Sequence, residues 1–511
     1  MITKSDYIRY LQCLKLGWLN KHRPDLISEE IKSSLTEVME EGYEVEKYAY
    51  MLFPEGRIAN GEPNTRELMK EGGVIFQPTI ISGELHCRAD IIYYDKDNEA
   101  WDIFEVKSST QEKKIHEYDL SFQKFVFEKA GYKIGKLNLM HINNEYTKKG
   151  EINVKDLFKI EDITNEVNKL TQDTKEEIAV LSKVLKDKTE PNVRPVKQCK
   201  NPYECMFKNY CMQGIPPKSI YSIIGKLSEK TMNKLLDDGI IKIEDIPQEY
   251  ITESFSKHFH AMKYDVVTID KEGIKDELEQ IKYPIYFLDY ETYSLPVPIF
   301  DGYRPYQNIV FQYSLHIQKS ADSELEHYAY LAKNLTDPTR ELSESLKKLI
   351  GKEGTVIAWN MGFEQGCNRD MGERAEEYRE FFRDVNERMY DLMTVFKKGL
   401  YIHKDFLGSA SLKKVLPVLV PSLSYAELNI HEGMTASNSW YEMVGDKATE
   451  KRKKEIYDDL LKYCELDTLA MVEILNELRK IVDENANSLF MEALNESDAT
   501  RVKYVDNKEE E

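Results

Sequence analysis

Long apolar runs are missing from this chain. No stretch approaches the roughly 18 consecutive apolar residues of a membrane-spanning helix. The opening segment Met1-Ile2-Thr3-Lys4-Ser5-Asp6-Tyr7 has no apolar core after its basic residue, so no secretory leader is expected and the cytoplasm is the default compartment. Cysteine is scarce, with seven in 511 residues, which argues against a disulfide framework. Positive charge is in short supply: 70 Lys and Arg stand against 90 Asp and Glu, a net charge of -20. That excludes a protein that coats nucleic acid over its whole surface, but not one with a local groove, because a carboxylate cluster holding cations reverses the local sign. There is no repeat of solenoid length and no low-complexity tract beyond Asn507-Lys508-Glu509-Glu510-Glu511.

What is present is enough apolar and aromatic residue to build more than one core. A chain of this length exceeds a single ordinary domain, and its pattern predicts an α/β protein in pieces. Residues 1–215 form a first α/β domain, 216–280 a small helical connector, 281–480 a second α/β domain and 481–511 a tail. In the first domain Ile27, Ile31, Leu35, Val38 and Met39 recur at helical spacing, and Val45 to Phe53 continue helically to Pro54. Strands are expected over residues 75–81, 89–94 and 100–106, a helix near 115–130, another strand over 136–142 and a charged helix over 160–190.

Carboxylates sit at telling positions in these strands. If Asp97-Asn98 form the centre of a hairpin turn, facing residues sum to 195, which sets Asp90 opposite Glu105. Lys107 lies two residues on and shares that sheet face. Asp90 and Glu105 are each embedded in apolar strand sequence, beside Ile91-Ile92 and Ile103-Phe104. Two such acids suit one or two Mg²⁺ or Mn²⁺ ions that polarise a phosphodiester, with the lysine offsetting developing charge. The bland alternative is an exposed hairpin of alternating charge.

A second acidic set follows. Pro284 to Leu288 is a buried-strand run that delivers Asp289 and Glu291 to one strand face. Residues 457–475 are helical by periodicity, and Tyr463 and Asp467, four apart, face the same way. Between them, the apolar strand Thr355 to Asn360 leads to Glu364, and Asp391 adds a further acid. Cys199, Cys205 and Cys211 repeat every six residues, and Cys13 is the best fourth ligand for a tetrahedral thiolate site. That set suits a [4Fe–4S] cluster, with zinc as the runner-up. Cys87, Cys367 and Cys464 are read as core residues.

Three family resemblances follow from these residues. Asp90, Glu105-Val106-Lys107 and Gln123 on the following helix resemble the PD-(D/E)xK nuclease superfamily with its restriction-endonuclease-like fold, in particular RecB-like nucleases. Ala89 stands where that family often has proline and Phe127 where it often has tyrosine. No histidine occurs in the early helix, where Glu44 and Glu46 are the nearest candidate ligands. One early and three late cysteines resemble the iron–sulfur nucleases of the same group, in which the cluster staples the ends of the nuclease domain. The D-x-E strand, Glu364 and Tyr463-x3-Asp467 resemble the DEDDy exonucleases with an RNase H-like fold, with Glu364 where that superfamily has aspartate.

The chain as a whole resembles bacterial proteins that fuse these two kinds of domain. The resemblance implies catalytic roles for Asp90, Glu105, Lys107, Gln123, Asp289, Glu291, Glu364, Tyr463 and Asp467. It implies Mg²⁺ or Mn²⁺ at Asp90 and Glu105 and at Asp289, Glu291, Glu364 and Asp467, and an iron–sulfur cluster at Cys13, Cys199, Cys205 and Cys211. It further implies a two-site nuclease acting on DNA that is single-stranded or has free ends, with 3′-5′ exonuclease activity. A setting in DNA repair or antiphage defence and a helicase or defence partner are expected by analogy. RNA processing, or a nucleic-acid-binding module with one inactive domain, are the alternatives.

Overall fold

The computed structural model describes residues 1–483 apart from Ile224, so the expected tail lies outside the described residues except at its first positions, which end a long helix. The molecule is mixed α/β with several mixed sheets. It divides into two compact units, residues 1–215 with 295–307 and residues 216–294 with 308 onward. The segment 216–280, expected as a small helical connector, groups with the second unit. The physical reason is packing: Ile274 and Ile281 join that unit's main core, and β10 (Thr268–Ile269) pairs with β16 (Tyr401–Ile402).

In the first unit β1 (Ile2–Thr3), β5 (Leu85–Arg88) and β4 (Thr79–Ser82) form a small sheet. The larger sheet runs β2-β3-β6-β7-β8-β9, with β2 at Arg57–Ile58, β3 at Val74–Phe76, β6 at Ile91–Asp95, β7 at Ala100–Lys107, β8 at Ile134–Ile142 and β9 at Phe158–Asp162. The β6–β7 hairpin pairs Ile91 with Phe104 and Ile92 with Ile103, the register that sums to 195. The apolar stretch from Ile75 to Ile81 is broken at Gln77, whose φ of 51° precedes Pro78, so it makes two strands in two sheets rather than one. The helix expected from residue 160 starts later, at Thr164, because residues 158–162 pair with β8 as an edge strand.

Helix Lys114–Lys129 buries Leu120, Phe122, Val126 and Phe127 against Ile103, Leu137 and Leu139. Helix Glu29–Tyr50 is continuous through both stretches read as helical. Only its end, Val45 and Ala49, enters the core, whereas Leu35, Val38 and Met39 are exposed.

In the second unit the main sheet runs β13-β12-β11-β14-β15. Its strands are β11 (Ile285–Tyr293), β12 (Ile309–Gln318), β13 (Leu325–Leu331), β14 (Thr355–Ala358) and β15 (Met389–Asp391). The first three are antiparallel, and β11, β14 and β15 are parallel. Gly354, at φ +88°, lets the chain pass Pro284 so closely that a Cβ there would meet the Pro284 carbonyl oxygen at 1.9 Å, which sets the β11–β14 pairing. Helix Glu450–Val482 covers the sheet, burying Met471, Ile474, Leu475 and Leu478 against Ile285, Phe287 and Ile357. Among the described residues no helix is long and apolar enough to cross a membrane.

Candidate carboxylate and cysteine sites

The first unit gathers charge at the end of β7. Glu105 is buried; its Oε1 accepts from Lys4 Nζ at 2.8 Å and Lys107 Nζ at 2.5 Å, and its Oε2 accepts from Gln123 Nε2 at 2.6 Å. Asp90, just before β6, is tied in through the backbone: the Val106 N–H donates to its Oδ2 at 2.7 Å. Burial pushes the Asp90 carboxyl up, opposed by Lys4 and Lys107 and reinforced by Glu46. Asp90, Glu105, Lys107 and Gln123 thus come together.

Three further groups complete the pocket. Asp119, one turn before Gln123 on the same helix, takes a hydrogen bond from Lys107 Nζ at 2.7 Å. Glu46 is buried and accepts from Tyr50 and from Gln77, while Glu44 is exposed and pairs with Lys47. Lys4 reaches in from the first helix. Its burial opposes a charge, but Asp119, Glu105 and Asp90 hold its ammonium well above the usual range. The i, i+4 spacing of Asp119 and Gln123 is a signal that was there to be read; nothing in the sequence marks Lys4.

Cys13, Cys199, Cys205 and Cys211 line one cavity with Lys15, Leu16 and Phe207. All four are free thiols. Burial pushes the Cys205 thiol up to about 12, the neighbouring Cys199 adding to the rise once its backbone hydrogen bond is set against it. Gln12 donates to the carbonyls of Gln198 and Tyr203, tying the first helix to the late cysteine segment. Four sulfurs lining one largely apolar cavity are the soft donors that an iron–sulfur cluster or zinc takes. Cys87 and Cys367 are core residues, as their sequence surroundings suggest.

The second unit concentrates acids with little compensation. Asp289 and Glu291 project from one face of β11, Glu364 comes from the first turn of helix Gly362–Arg374, and Asp467 from helix Glu450–Val482. Their charges act on one another. Burial raises the Asp289 carboxyl well above its ordinary range, and Asp467, Glu291 and Glu364 raise it further. Glu291 is raised likewise by burial and Asp467, with Lys413 opposing. Burial carries Glu364 to about 8 and Asp467 to about 6. One oxygen of Glu364, Oε2, is buried with no hydrogen-bond partner. A ligand atom from each of Asp289, Glu291 and Cys464 lies within 4.8 Å of the other two. An orphaned carboxylate oxygen among mutually repelling buried acids is a donor set that fits divalent cations.

Tyr463 is buried on the same helix, its phenol pushed up by burial and by Asp467, Glu291 and Asp289. Tyr425 donates its hydroxyl hydrogen to Asp467 Oδ1, and Lys413 Nζ stands 5.8 Å from both the Tyr425 and Tyr463 ring centres. Neither Tyr425 nor Lys413 belongs to a pattern visible in the sequence. Cys464, read as core, faces the acids, with its Sγ 3.6 Å from Asp289 Oδ2. Asp391 is a backbone cap: its Oδ1 accepts from the N–H groups of Asn360 and Met393, and only its charge reaches Glu364.

The fold and sites define a mixed α/β protein with two buried carboxylate clusters and one cysteine-lined cavity. The family described as Domain of unknown function (DUF2779) matches residues 286–411, a segment that carries Asp289, Glu291 and Glu364. The chain is similar to the uncharacterized protein UU173 of Ureaplasma parvum, 24% identical over 262 residues that cover 47% of this chain and 37% of that protein. It is also similar to the uncharacterized protein MG366 of Mycoplasma genitalium, 24% identical over 231 residues, 41% of this chain and 34% of that one. The matches thus span little more than a third of the length of these curated relatives. Among solved structures, the crystal structure of SSO0001 is similar at 14% identity over 41% of this chain and 85% of that one, with a TM-score of 0.21.

Proposed function

We propose that this protein is a metal-dependent nuclease that hydrolyses DNA phosphodiester bonds, with the second unit removing nucleotides from 3′ ends. The observation that carries the reading is the convergence of Asp289, Glu291, Glu364 and Asp467, from three separate stretches of chain, with Glu364 Oε2 left buried and unpartnered. A sheet ordered β13-β12-β11-β14-β15, with its acids on the central strand, supports the RNase H-like reading.

Mg²⁺ or Mn²⁺ held by these four carboxylates would supply Lewis-acid polarisation of the scissile phosphate. The chain's own groups do the rest. Asp289 and Glu291 present their oxygens from a rigid strand. Tyr463 carries a buried hydroxyl beside them that orients the attacking water. The Tyr425 hydrogen bond fixes the Asp467 rotamer. Lys413 is the cation facing Glu291 and Asp467, and it meets the phosphate charge as water adds to phosphorus and the bond to the 3′ oxygen breaks.

In the first unit Asp90 and Glu105 would hold a further divalent ion, with Lys107 and Gln123 positioning the phosphate. The cysteine cavity would hold a [4Fe–4S] cluster, or zinc, that clamps the first helices to residues 199–211. One observation favours a second reading of the first unit. Lys4 and Lys107 already neutralise Glu105 and Asp119, which suits a pocket that grips nucleic acid without cutting it.

The test offers matched single-stranded DNA and RNA oligonucleotides, labelled at either end, to the full chain with Mg²⁺ or Mn²⁺. Degradation of DNA from the 3′ end that is lost in Asp289→Ala supports the proposal, and a preference for RNA overturns the substrate assignment. Loss of a separate cutting activity in Asp90→Ala assigns catalysis to the first unit, whereas an unchanged product pattern assigns it the gripping role.

A further inference from the structure

Outside the carboxylate cluster, the second unit carries a pair of histidines that the proposed nuclease chemistry does not use. His316 on β12 and His327 on β13 are directly paired across the two strands, with ring centres 4.4 Å apart. Glu465, on helix Glu450–Val482, closes the group, its Oε1 3.6 Å from His327 Nδ1. A ligand atom from each of the three lies within 4.8 Å of the other two.

Two hydroxyls back the rings. Thr468 Oγ1 lies 3.1 Å from the Glu465 carbonyl oxygen, to which it can donate, and 2.8 Å from His316 Nδ1. Ser314 Oγ lies 2.7 Å from Thr468 Oγ1 and 2.9 Å from His327 Nε2. In the tautomers that give His316 Nδ1–H and His327 Nε2–H to this hydroxyl pair, the opposite nitrogens, His316 Nε2 and His327 Nδ1, carry the lone pairs a metal ion takes. His327 Nδ1 and Glu465 Oε1, 3.6 Å apart, are too far for a good hydrogen bond and can both turn to one cation. Metal-ligating histidines give their far ring N–H to an oxygen acceptor, a part these hydroxyls can play.

We infer that His316, His327 and Glu465 form a binding site for a divalent transition-metal ion of the zinc class. Two imidazoles and one carboxylate suit Zn²⁺, Co²⁺ or Ni²⁺ over Mg²⁺. His316 is buried while His327 and Glu465 are partly open to solvent, so an ion has a route in and water takes the remaining coordination position. The ion joins β12 and the edge strand β13 to helix Glu450–Val482. Its role is therefore to lock the helix that carries Tyr463 and Asp467 against the sheet.

The experiment is a Co²⁺ titration of the full chain, dialysed free of loosely held ions and followed by absorption. Thiolate-bound Co²⁺ gives strong near-ultraviolet charge-transfer bands, whereas a nitrogen–oxygen site gives visible bands alone. Wild type is expected to develop the second kind, and His327→Ala and Glu465→Ala each to weaken that component by about 100-fold or more, given that even supporting partners cost 10–100-fold. Both side chains are partly exposed, so far-UV circular dichroism should be unchanged. Glu465→Asp should restore part of the binding. A Zn²⁺-dependent rise in Tm in wild type, lost in both variants, supports the site by linkage. Co²⁺ curves identical in wild type and both variants overturn it. So does a wild type without the visible bands, or a His327→Ala effect confined to acid stability, since a simple histidine–glutamate ion pair would give that result.

Discussion

Gln123 donates its side-chain amide to Glu105 Oε2 at 2.6 Å while its own carbonyl oxygen, Oε1, is buried without a partner. The amide also donates to Asp119 Oδ1 at 3.0 Å, so one fully buried group restrains both carboxylates. Hydrogen bonds to charged groups are each worth about 1.5–3 kcal/mol. Gln123→Ala should therefore lower the stability of the first unit by about 3–6 kcal/mol, read as a fall in one calorimetric transition of the full chain. An unchanged transition would show that the amide restrains nothing.

In the second unit the raised carboxyls give a signed pH dependence. Glu364 is held at about 8 and Asp467 at about 6 in the folded chain, both above their unfolded values. Below pH ~4 both states are protonated and nothing is lost. As pH rises toward 8 the unfolded chain releases these protons first, and stability falls by up to about 1.4 kcal/mol per pH unit per group. In the presence of a chelator, Tm should drop between pH 5 and 8, and Glu364→Gln should flatten the slope. Equal slopes in the two proteins would contradict the assignment.

Lys413 is the cation that opposes the rise of both Glu291 and Asp467. Lys413→Met should raise those carboxyls further and move the acidic limb of the cleavage profile to higher pH. The maximal rate should fall by about 10- to 100-fold, within or below the range lost with one electrostatic stabiliser. A shift of the limb to lower pH would reverse the sign and exclude this role.

The cysteine cavity predicts metal content. The chain purified without oxygen should carry iron and sulfide with thiolate–iron absorption, and Cys205→Ser should lose both and become less soluble, because the group joins the first helices to residues 199–211. Zinc alone in the purified chain would replace the cluster by the runner-up.

The parts of these sites that sequence made legible are those governed by short-range geometry. Asp289 and Glu291 share a face because a strand has period two, and the 195 register follows from centring the turn on Asp97-Asn98, inside the four-residue link from Lys96 to Glu99. What stayed hidden came by long-range packing. Lys4 meets Glu105 from 101 positions away, and Tyr425 meets Asp467 across 42. Cys464 was hidden by its surroundings: it sits in the apolar rhythm of a helix, yet that helix face turns toward Asp289. Leu35, Val38 and Met39 show the opposite error, since helical spacing told of a helix but not of which side, if any, would be covered.

The most direct test of the central claim is Mn²⁺ binding to the full chain, followed by loss of the free-ion resonance in electron paramagnetic resonance. Wild type should bind Mn²⁺ at the second unit's acids, and Asp289→Ala with Asp467→Asn should remove that binding while leaving far-UV circular dichroism unchanged. Identical Mn²⁺ isotherms for wild type and the double variant would contradict it.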